Sequence, residues 1–222
     1  MPTTVKICGL IVYEDALAAA QAGADMLGFN FYKPSPRYIS PEAAAPLCHR
    51  LRTELGAACP QLVGVFVNDA AAEISMTMEM VGLRFAQLSG AEPVAMLAQL
   101  KGVAYKAIQP SNKIAALDDA GSFLSQAPTD ERVPSLLLDA HHSILYGGTG
   151  QEASVDVARA VKAMVPRLML AGGLTPENVG DKVKQVQPWG VDVAGGIEAV
   201  GRQGRKDVGK MRDFIQAAKG SS

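Results

Sequence analysis

The sequence alternates between short apolar runs and longer segments with helical character, and this alternation constrains the fold more than any other feature. The apolar runs are rich in valine, isoleucine and leucine, and they are continuous rather than alternating with polar residues. Continuous apolar runs are typical of parallel strands that are covered on both faces. Eight of them predict strands, at 5–8, 26–31, 62–67, 85–88, 104–108, 135–139, 167–171 and 190–194.

The segments that follow these strands predict helices. Two of them begin with clear N-terminal signals, Ser40 before Pro41 and Thr175 before Pro176, each with a glutamate behind the proline to suit the helix dipole. The least regular stretch, 112–134, is expected to hold a helix and a long loop. The predicted helices cover 14–22, 41–55, 70–80, 93–100, 114–124, 155–164, 176–186 and 206–219.

Eight parallel strands that alternate with eight helices predict an α/β fold, a single (β/α)8 TIM barrel domain spanning residues 1–222. The alternative is an open, doubly wound sheet, which should carry a G-x-G-x-x-G motif directly after its first strand. Here the first strand leads into Cys8, Gly9 and Leu10, and the glycine pairs come late in the chain. The sequence therefore favours the barrel.

Composition argues against several classes of partner. Lysine and arginine number 21 against 22 acidic residues, so the net charge of -1 offers no basic surface for nucleic acid or an anionic membrane. No apolar run is long enough to span a bilayer, and the first residues do not resemble a secretion signal. The three cysteines, Cys8, Cys48 and Cys59, have no metal-binding spacing. We therefore predict a cytoplasmic protein with no nucleic-acid partner, no membrane partner, no disulfide and no metal.

In a TIM barrel, functional residues lie at the C-terminal ends of the strands. Glycine clusters follow the last three predicted strands, at 147–150, 172–173 and 195–196. Backbone N–H groups in such loops can approach an anion closely, and a helix start behind residues 172–173 adds a favourable dipole. Each pair alone could be a tight turn, but their joint position predicts a phosphate site formed by Gly172, Gly173, Gly195 and Gly196.

Seven segments, in order and nearly from end to end, resemble the phosphoribosylanthranilate isomerase family. One short match would be a weak signal, whereas seven at barrel spacing are specific. The segments are KICGL at 6–10, GFNFY at 28–32 with SPR at 35–37, GVFVN at 64–68, LLLD at 136–139, GGTG at 147–150, AGGL at 171–174 and GRKD at 204–207.

The resemblance implies a cofactor-independent Amadori rearrangement of N-(5-phosphoribosyl)anthranilate in tryptophan biosynthesis, which is an aldose–ketose isomerisation. It implies that Asp139 is the general acid and Cys8 the general base. It also implies that Arg37 binds the anthranilate carboxylate and that Asp192 lies close to the substrate. The position of Cys8 at a strand end predicts an exposed thiol, whose pKa Lys6 or the bound substrate would lower.

Four departures from the family pattern affect residues expected near the substrate. Ile11 and Val12 stand where the family usually has a threonine and a polar residue, and Ser89 replaces a histidine. Ala194 and Gly195 replace two serines, and the F-D-W that commonly follows GGTG is missing. Because the acid, the base and the arginine all remain, these departures are expected to affect affinity more than mechanism.

Other interpretations of the same residues stay open. Taken singly, Cys8 could be a small buried apolar residue, Arg37 a solvated surface residue and Asp192 a structural one. A non-catalytic phosphosugar-binding barrel, or another aldose–ketose isomerase of related phosphorylated aminosugars, would share the glycine loops. The sequence also leaves open whether the protein is a monomer or a homodimer and whether it has fusion partners.

Overall fold

The computed structural model describes residues 2–100, 102–139 and 150–221. Within these residues it has eight short strands, and each overlaps one of the predicted strands. The strands are β1 (Thr4–Ile7), β2 (Met26–Asn30), β3 (Gln61–Phe66), β4 (Phe85–Leu88), β5 (Ala104–Ile108), β6 (Leu136–Asp139), β7 (Leu168–Ala171) and β8 (Gly190–Val193).

Each strand is followed by an α-helix, as the sequence predicts. The helices are α1 (Tyr13–Gln21), α2 (Pro41–Leu55), α3 (Ala71–Val81), α4 (Val94–Gln99), α5 (Lys113–Leu124), α6 (Gly150–Met164), α7 (Pro176–Val186) and α8 (Val208–Gly220). Two short 3₁₀ helices, Gly56–Ala58 and Gly195–Ile197, were not predicted. Among the described residues, none of these helices combines the length and the apolar character needed to cross a membrane.

The main differences from the predicted helices lie at their N-terminal ends. Helix α8 begins at Val208 rather than at 206, because the Asp207 carboxylate accepts a hydrogen bond from Lys210 N at 3.0 Å and makes Asp207 the N-cap. Helix α6 begins at Gly150, five residues before the predicted start. The rest of the predicted glycine cluster, 147–149, lies outside the described residues.

The strands pair in chain order and close into a parallel barrel, which confirms the predicted fold. The closing pair is β1 with β8, and its register places Lys6 opposite Asp192. On the other side of the barrel, Asp139 at the end of β6 is opposite Ala171 at the end of β7. Parallel closure brings all eight C-terminal strand ends to one mouth, so residues far apart in sequence meet there.

Apolar side chains cover both faces of the strands. One set fills the barrel interior and includes Met26, Val63, Phe85 and Met169. A second, larger set packs between the strands and the helices, and β1 contributes Val5 and Ile7 to it. Lys6, between those two residues, points the other way and is buried inside the barrel. This alternation is what places polar side chains beneath the mouth.

The N-terminus of α7 is tied to the loop that precedes it. The Asn178 Oδ1 atom accepts a hydrogen bond from Thr175 N at 2.9 Å, and the Asn178 amide donates to the Gly173 carbonyl oxygen at 2.9 Å. The predicted start of α2 is also confirmed, since Ser40 Oγ accepts a hydrogen bond from Ala43 N at 3.3 Å. The β7–α7 loop therefore has a fixed shape at the barrel mouth.

Candidate active site

A cavity of about 600 Å³ opens at the C-terminal mouth of the barrel, a size typical of small-molecule sites. It gathers most of the residues that the sequence singles out, from loops that follow five different strands. The lining consists of Arg37, Gln109, Asp139, Ala171, Gly172, Gly173, Leu174, Thr175, Asp192, Val193, Ala194, Gly195 and Gly196. The structure therefore brings together Asp139, Arg37, Asp192 and the four glycines that the sequence predicts for the site.

Cys8 follows β1 directly and lies beside this cavity, next to Asp192 of its wall. Its electrostatic neighbours are Lys6, Asp192 and Lys206. The neighbouring strand β2 approaches very closely at Gly28, where a β-carbon would lie 2.7 Å from Cys8 Sγ and 3.2 Å from Lys6 Cε. A glycine at position 28 thus makes room for the thiol and the lysine side by side.

The predicted exposure of Cys8 is wrong, and so is the predicted lowering of its pKa. Only 8% of the residue is exposed, because strand β2 packs against it. Burial raises the pKa of the Cys8 thiol, and the nearby Lys6 ammonium offsets this only in part. The free protein therefore holds Cys8 mainly as a thiol at neutral pH.

A buried network of hydrogen bonds surrounds Lys6 beneath the mouth. The Lys6 ammonium donates to Asp192 Oδ1 at 3.0 Å and to Gln87 Oε1 at 2.9 Å, and the Tyr105 hydroxyl also donates to Gln87 Oε1, at 3.0 Å. Burial by itself lowers the pKa of Lys6, but Asp192 and Cys8 outweigh burial and hold it above its ordinary value. Lys6 is therefore a permanent buried cation next to Cys8.

Two carboxyl groups face the cavity from different strands. Asp139 Oδ2 accepts a hydrogen bond from Gln109 Nε2 at 3.0 Å, which fixes the carboxyl at the end of β6. Burial raises the pKa of Asp192; Lys6 opposes this shift, and the charge of Asp139 adds to it. Asp139 and Asp192 are therefore electrostatic neighbours, and Asp192 also contacts the lysine that adjoins Cys8. The Asp139 carboxyl group and the Cys8 thiol are therefore linked electrostatically through Asp192 and Lys6.

Arg37 is not a solvated surface residue, because its side chain is 24% exposed and doubly bonded to Glu198. The Nε and Nη2 atoms donate to the two Glu198 carboxylate oxygens, at 2.7 Å and 3.1 Å. Upstream, Ser35 Oγ accepts a hydrogen bond from Arg37 N at 3.1 Å and another from Asn30 Nδ2 at 3.1 Å. The loop and the guanidinium are both held in place.

The glycine loops after β7 and β8 pack against one another at the cavity. Gly172 and Gly173 have φ angles of 95° and 65°, which are conformations that favour glycine. A β-carbon at Gly196 would overlap the carbonyl oxygen of Leu174, so the two loops approach as closely as their backbones allow. The four glycines therefore present backbone rather than side chains to the cavity.

Three polar residues of the site were given no role by the sequence: Gln109, Glu198 and Lys206. Glu198 lies 161 residues from Arg37, and no local pattern indicates such a pairing. Lys206 is inside the GRKD segment, and its ammonium donates to the Ala194 carbonyl oxygen at 2.9 Å. Within the described residues, no group of three or more histidine, cysteine, aspartate and glutamate side chains is arranged to hold a metal ion.

A closed parallel barrel whose polar cavity lies at the C-terminal strand ends defines a TIM-barrel enzyme. Residues 5–217 match the family model described as N-(5'-phosphoribosyl)anthranilate (PRA) isomerase. The chain belongs to this family. The activity of the family, phosphoribosylanthranilate isomerisation in tryptophan biosynthesis, is therefore the activity of this chain.

Known relatives agree over nearly the whole length. The N-(5'-phosphoribosyl)anthranilate isomerase of Geobacter sulfurreducens is 42% identical over 216 residues, which cover 97% of this chain and 98% of the relative. A solved structure of monomers generated from the dimeric enzyme of Thermotoga maritima is 32% identical, with a TM-score of 0.81 over 98% of this chain and 99% of that chain. A further isomerase structure, solved in complex with reduced 1-(o-carboxyphenylamino)-1-deoxyribulose 5-phosphate, is 33% identical, with a TM-score of 0.81 and the same coverage.

Proposed function

We propose that this isomerisation is an Amadori rearrangement in which Asp139 is the general acid and Cys8 the general base, with no cofactor. The observation that carries the proposal is the single cavity lined by Asp139, Arg37, Asp192 and the four glycines, with Cys8 beside it. The alternative, another aldose–ketose isomerase, offers no reason for Cys8 and Asp139 to occur together.

The chemistry needs one acid and one base on the same sugar. Asp139 donates a proton to the furanose ring oxygen, the C1–O bond breaks, and an iminium forms between C1 and the anthranilate nitrogen. Cys8 then removes the proton from C2, and the resulting enolamine tautomerises to the ketose. Carbon C1 is reduced and carbon C2 is oxidised, so the reaction is an intramolecular oxidation and reduction that requires no external electron acceptor.

The buried position of Cys8 is compatible with this role. The Lys6 and Lys206 ammonium groups both act to lower the pKa of the thiol against the effect of burial. Once formed, a thiolate in a site with little water is a stronger base than one in bulk solvent. Lys6 and Lys206 therefore favour the thiolate form of Cys8, which is the form that can remove the proton from C2.

Substrate binding is assigned to groups from different loops around the cavity. Arg37 pairs with the anthranilate carboxylate through its planar N–H groups, and Gly172, Gly173, Gly195 and Gly196 bind the phosphate through backbone N–H groups. Asp192, which also lines the cavity, contacts the sugar. A related isomerase was solved with a reduced product analogue that carries both a carboxylate and a phosphate, which supports this class of ligand.

The test is kinetic. In assays with freshly generated substrate, Cys8→Ser and Asp139→Asn should each lower kcat by about 10²-fold or more, because each removes a general acid or base. Arg37→Ala should chiefly raise KM, by about tenfold or more. A near-normal kcat in either of the first two variants would reject the role assigned to that residue.

Complementation separates an enzyme from a silent barrel. The gene should restore growth without tryptophan to a strain that lacks this isomerase. Failure with folded protein in the cell would favour the non-catalytic phosphosugar-binding barrel. A cytoplasmic location fits a biosynthetic enzyme and remains part of the proposal, and the choice between monomer and homodimer stays open.

A further inference from the structure

We propose that Glu198 is a positioning residue for Arg37, holding one edge of the guanidinium so that its other edge faces the cavity and selects a ligand that carries a carboxylate. This inference rests on the proposed role of Arg37 and adds a residue to it. The observation behind it is the doubly hydrogen-bonded ion pair between the two side chains at the wall of the cavity.

The contacts of Arg37 within the described part of the chain use only one edge of its guanidinium group. A guanidinium group has five N–H donors in one plane, and Glu198 uses one on Nε and one on Nη2. The two N–H groups of Nη1 and the second of Nη2 remain, and together they form a second edge that can bind another carboxylate in bidentate fashion. The Arg37 Nη2 atom lies 3.0 Å from the position that a β-carbon on Gly195 would occupy.

Glu198 is itself firmly held. Its side chain is 12% exposed, and Oε1 also accepts a hydrogen bond from Gly204 N at 3.0 Å and lies 3.6 Å from Lys206 Nζ. Burial acts to raise the pKa of Glu198, but Arg37, the Gly204 N–H and Lys206 outweigh it and leave the pKa below its ordinary value. The carboxylate is therefore charged at neutral pH and does not leave Arg37 by protonation.

The pair links two loops with separate tasks. Arg37 belongs to the β2–α2 loop, whereas Glu198 belongs to the β8–α8 loop, which also carries Gly195 and Gly196 of the proposed phosphate site. Glu198 thus sets the position of the arginine relative to the phosphate loop. Its removal should weaken recognition of the carboxylate end of a ligand without equal loss at the phosphate end.

A second ion pair, which joins the β8–α8 loop to helix α1, provides a matched control. Asp15 binds Arg205 through Nε at 3.0 Å and Nη2 at 3.3 Å, and it accepts a hydrogen bond from Lys206 N at 2.9 Å. Neither Asp15 nor Arg205 lines the cavity. Asp15→Asn therefore loosens the β8–α8 loop from outside and leaves the Arg37 pair in place.

The experiment compares two ligands by calorimetry. One is reduced 1-(o-carboxyphenylamino)-1-deoxyribulose 5-phosphate, and the other is the same compound with an unsubstituted phenyl ring. Glu198→Gln should bind the first ligand about tenfold more weakly while binding of the second changes little, and its KM should rise with kcat nearly unchanged. Asp15→Asn should shift both affinities by the same factor.

The outcomes separate this inference from the proposed function. If Arg37→Ala leaves the ratio of the two affinities unchanged, the role of Arg37 is wrong and the inference falls with it. Arg37→Ala should lower the ratio of the affinity for the carboxylated ligand to the affinity for the unsubstituted one. If it does so, but Glu198→Gln weakens the binding of both ligands equally or strengthens the binding of the carboxylated one, the inference alone is overturned. Should Glu198→Gln fail to fold, Glu198→Asp keeps the charge but shortens the reach, and it must also lower the ratio.

Discussion

Lys6 and Asp192 form a buried ion pair, with 3.0 Å between Lys6 Nζ and Asp192 Oδ1, at the seam where β1 closes on β8. The two residues are paired in the strand register, and Lys6 also donates a hydrogen bond to Gln87. The pair lies between the apolar interior of the barrel and the cavity. It therefore bears both on stability and on the charge that surrounds Cys8.

Replacing Lys6 with methionine should destabilise the protein by about 3–5 kcal/mol, because it leaves a buried carboxylate without its cation. Urea unfolding at pH 7, followed by circular dichroism, measures this loss. The exposed pair of Arg50 and Glu54 provides the control, since water and salt screen such a pair and Arg50→Gln should cost far less stability. Equal losses in the two variants would contradict a special role for the buried pair.

The loss in Lys6→Met should shrink as the pH falls. Without Lys6, burial raises the pKa of Asp192 further above its value in the unfolded chain. The folded variant then binds more protons than the unfolded one at mildly acidic pH, so its stability rises as pH falls. Unfolding measurements at pH 5 and pH 7 test this sign, and a loss that is independent of pH would contradict it.

Burial raises the pKa of Cys8. Its rate of alkylation should therefore rise with pH, with a midpoint above that of an ordinary thiol. Alkylation by iodoacetamide, resolved by peptide mass spectrometry, gives the midpoint for each cysteine. In Lys6→Met the Cys8 midpoint should move to still higher pH, since the opposing charge is gone. Cys59, whose raised pKa comes from burial opposed by Arg52, is the internal control and should not move.

The same group should control activity. A general base must be deprotonated, so kcat/KM should rise with pH through the Cys8 pKa. Lys6→Met should move this rise to higher pH. If the alkylation midpoint moves in Lys6→Met while the rising limb of kcat/KM does not, Cys8 is not the base that limits the reaction.

Gly28→Ala should displace Cys8 and Lys6, because the added methyl group would lie 2.7 Å from Cys8 Sγ. We expect a loss of about 1–3 kcal/mol in stability together with a fall in kcat. Gly121→Ala is the matched control, since its methyl group meets nothing nearer than 3.8 Å and should stabilise α5 by up to about 1 kcal/mol. Unfolding and steady-state kinetics on both variants provide the comparison. If folded Gly28→Ala keeps an unchanged kcat, catalysis does not require the close packing of residue 28 against the Cys8 thiol.

Gly196→Ala should weaken phosphate binding, because its methyl group would overlap the Leu174 carbonyl oxygen and force apart the loops after β7 and β8. Inhibition by inorganic phosphate should become about tenfold weaker, and KM should rise. Gly220→Ala, whose methyl group would meet no more distant part of the described chain within 4 Å, should leave both values unchanged. If Gly196→Ala folds and keeps its phosphate inhibition, the glycine loops are turns rather than a phosphate site.

The order of strands and helices and the closed barrel could be predicted from the sequence alone, and so could the presence of Asp139, Arg37, Asp192 and the four glycines of the β7–α7 and β8–α8 loops at one mouth. These features could be predicted because apolar runs and helix caps are local signals, and because parallel strands bring their C-terminal ends together. Position at the C-terminal end of a strand, or in the loop that follows it, was enough to place these residues at the mouth.

Which of these residues are in contact depends on how the chain folds in three dimensions. Lys6 and Asp192 are 186 residues apart, and Arg37 and Glu198 are 161 apart, so each pair exists only because β1 closes on β8. The burial of Cys8 was missed for the same reason, since it depends on how closely β2 packs at Gly28. Contacts and electrostatic shifts depend on distance in space, and a local pattern in the chain does not contain that distance.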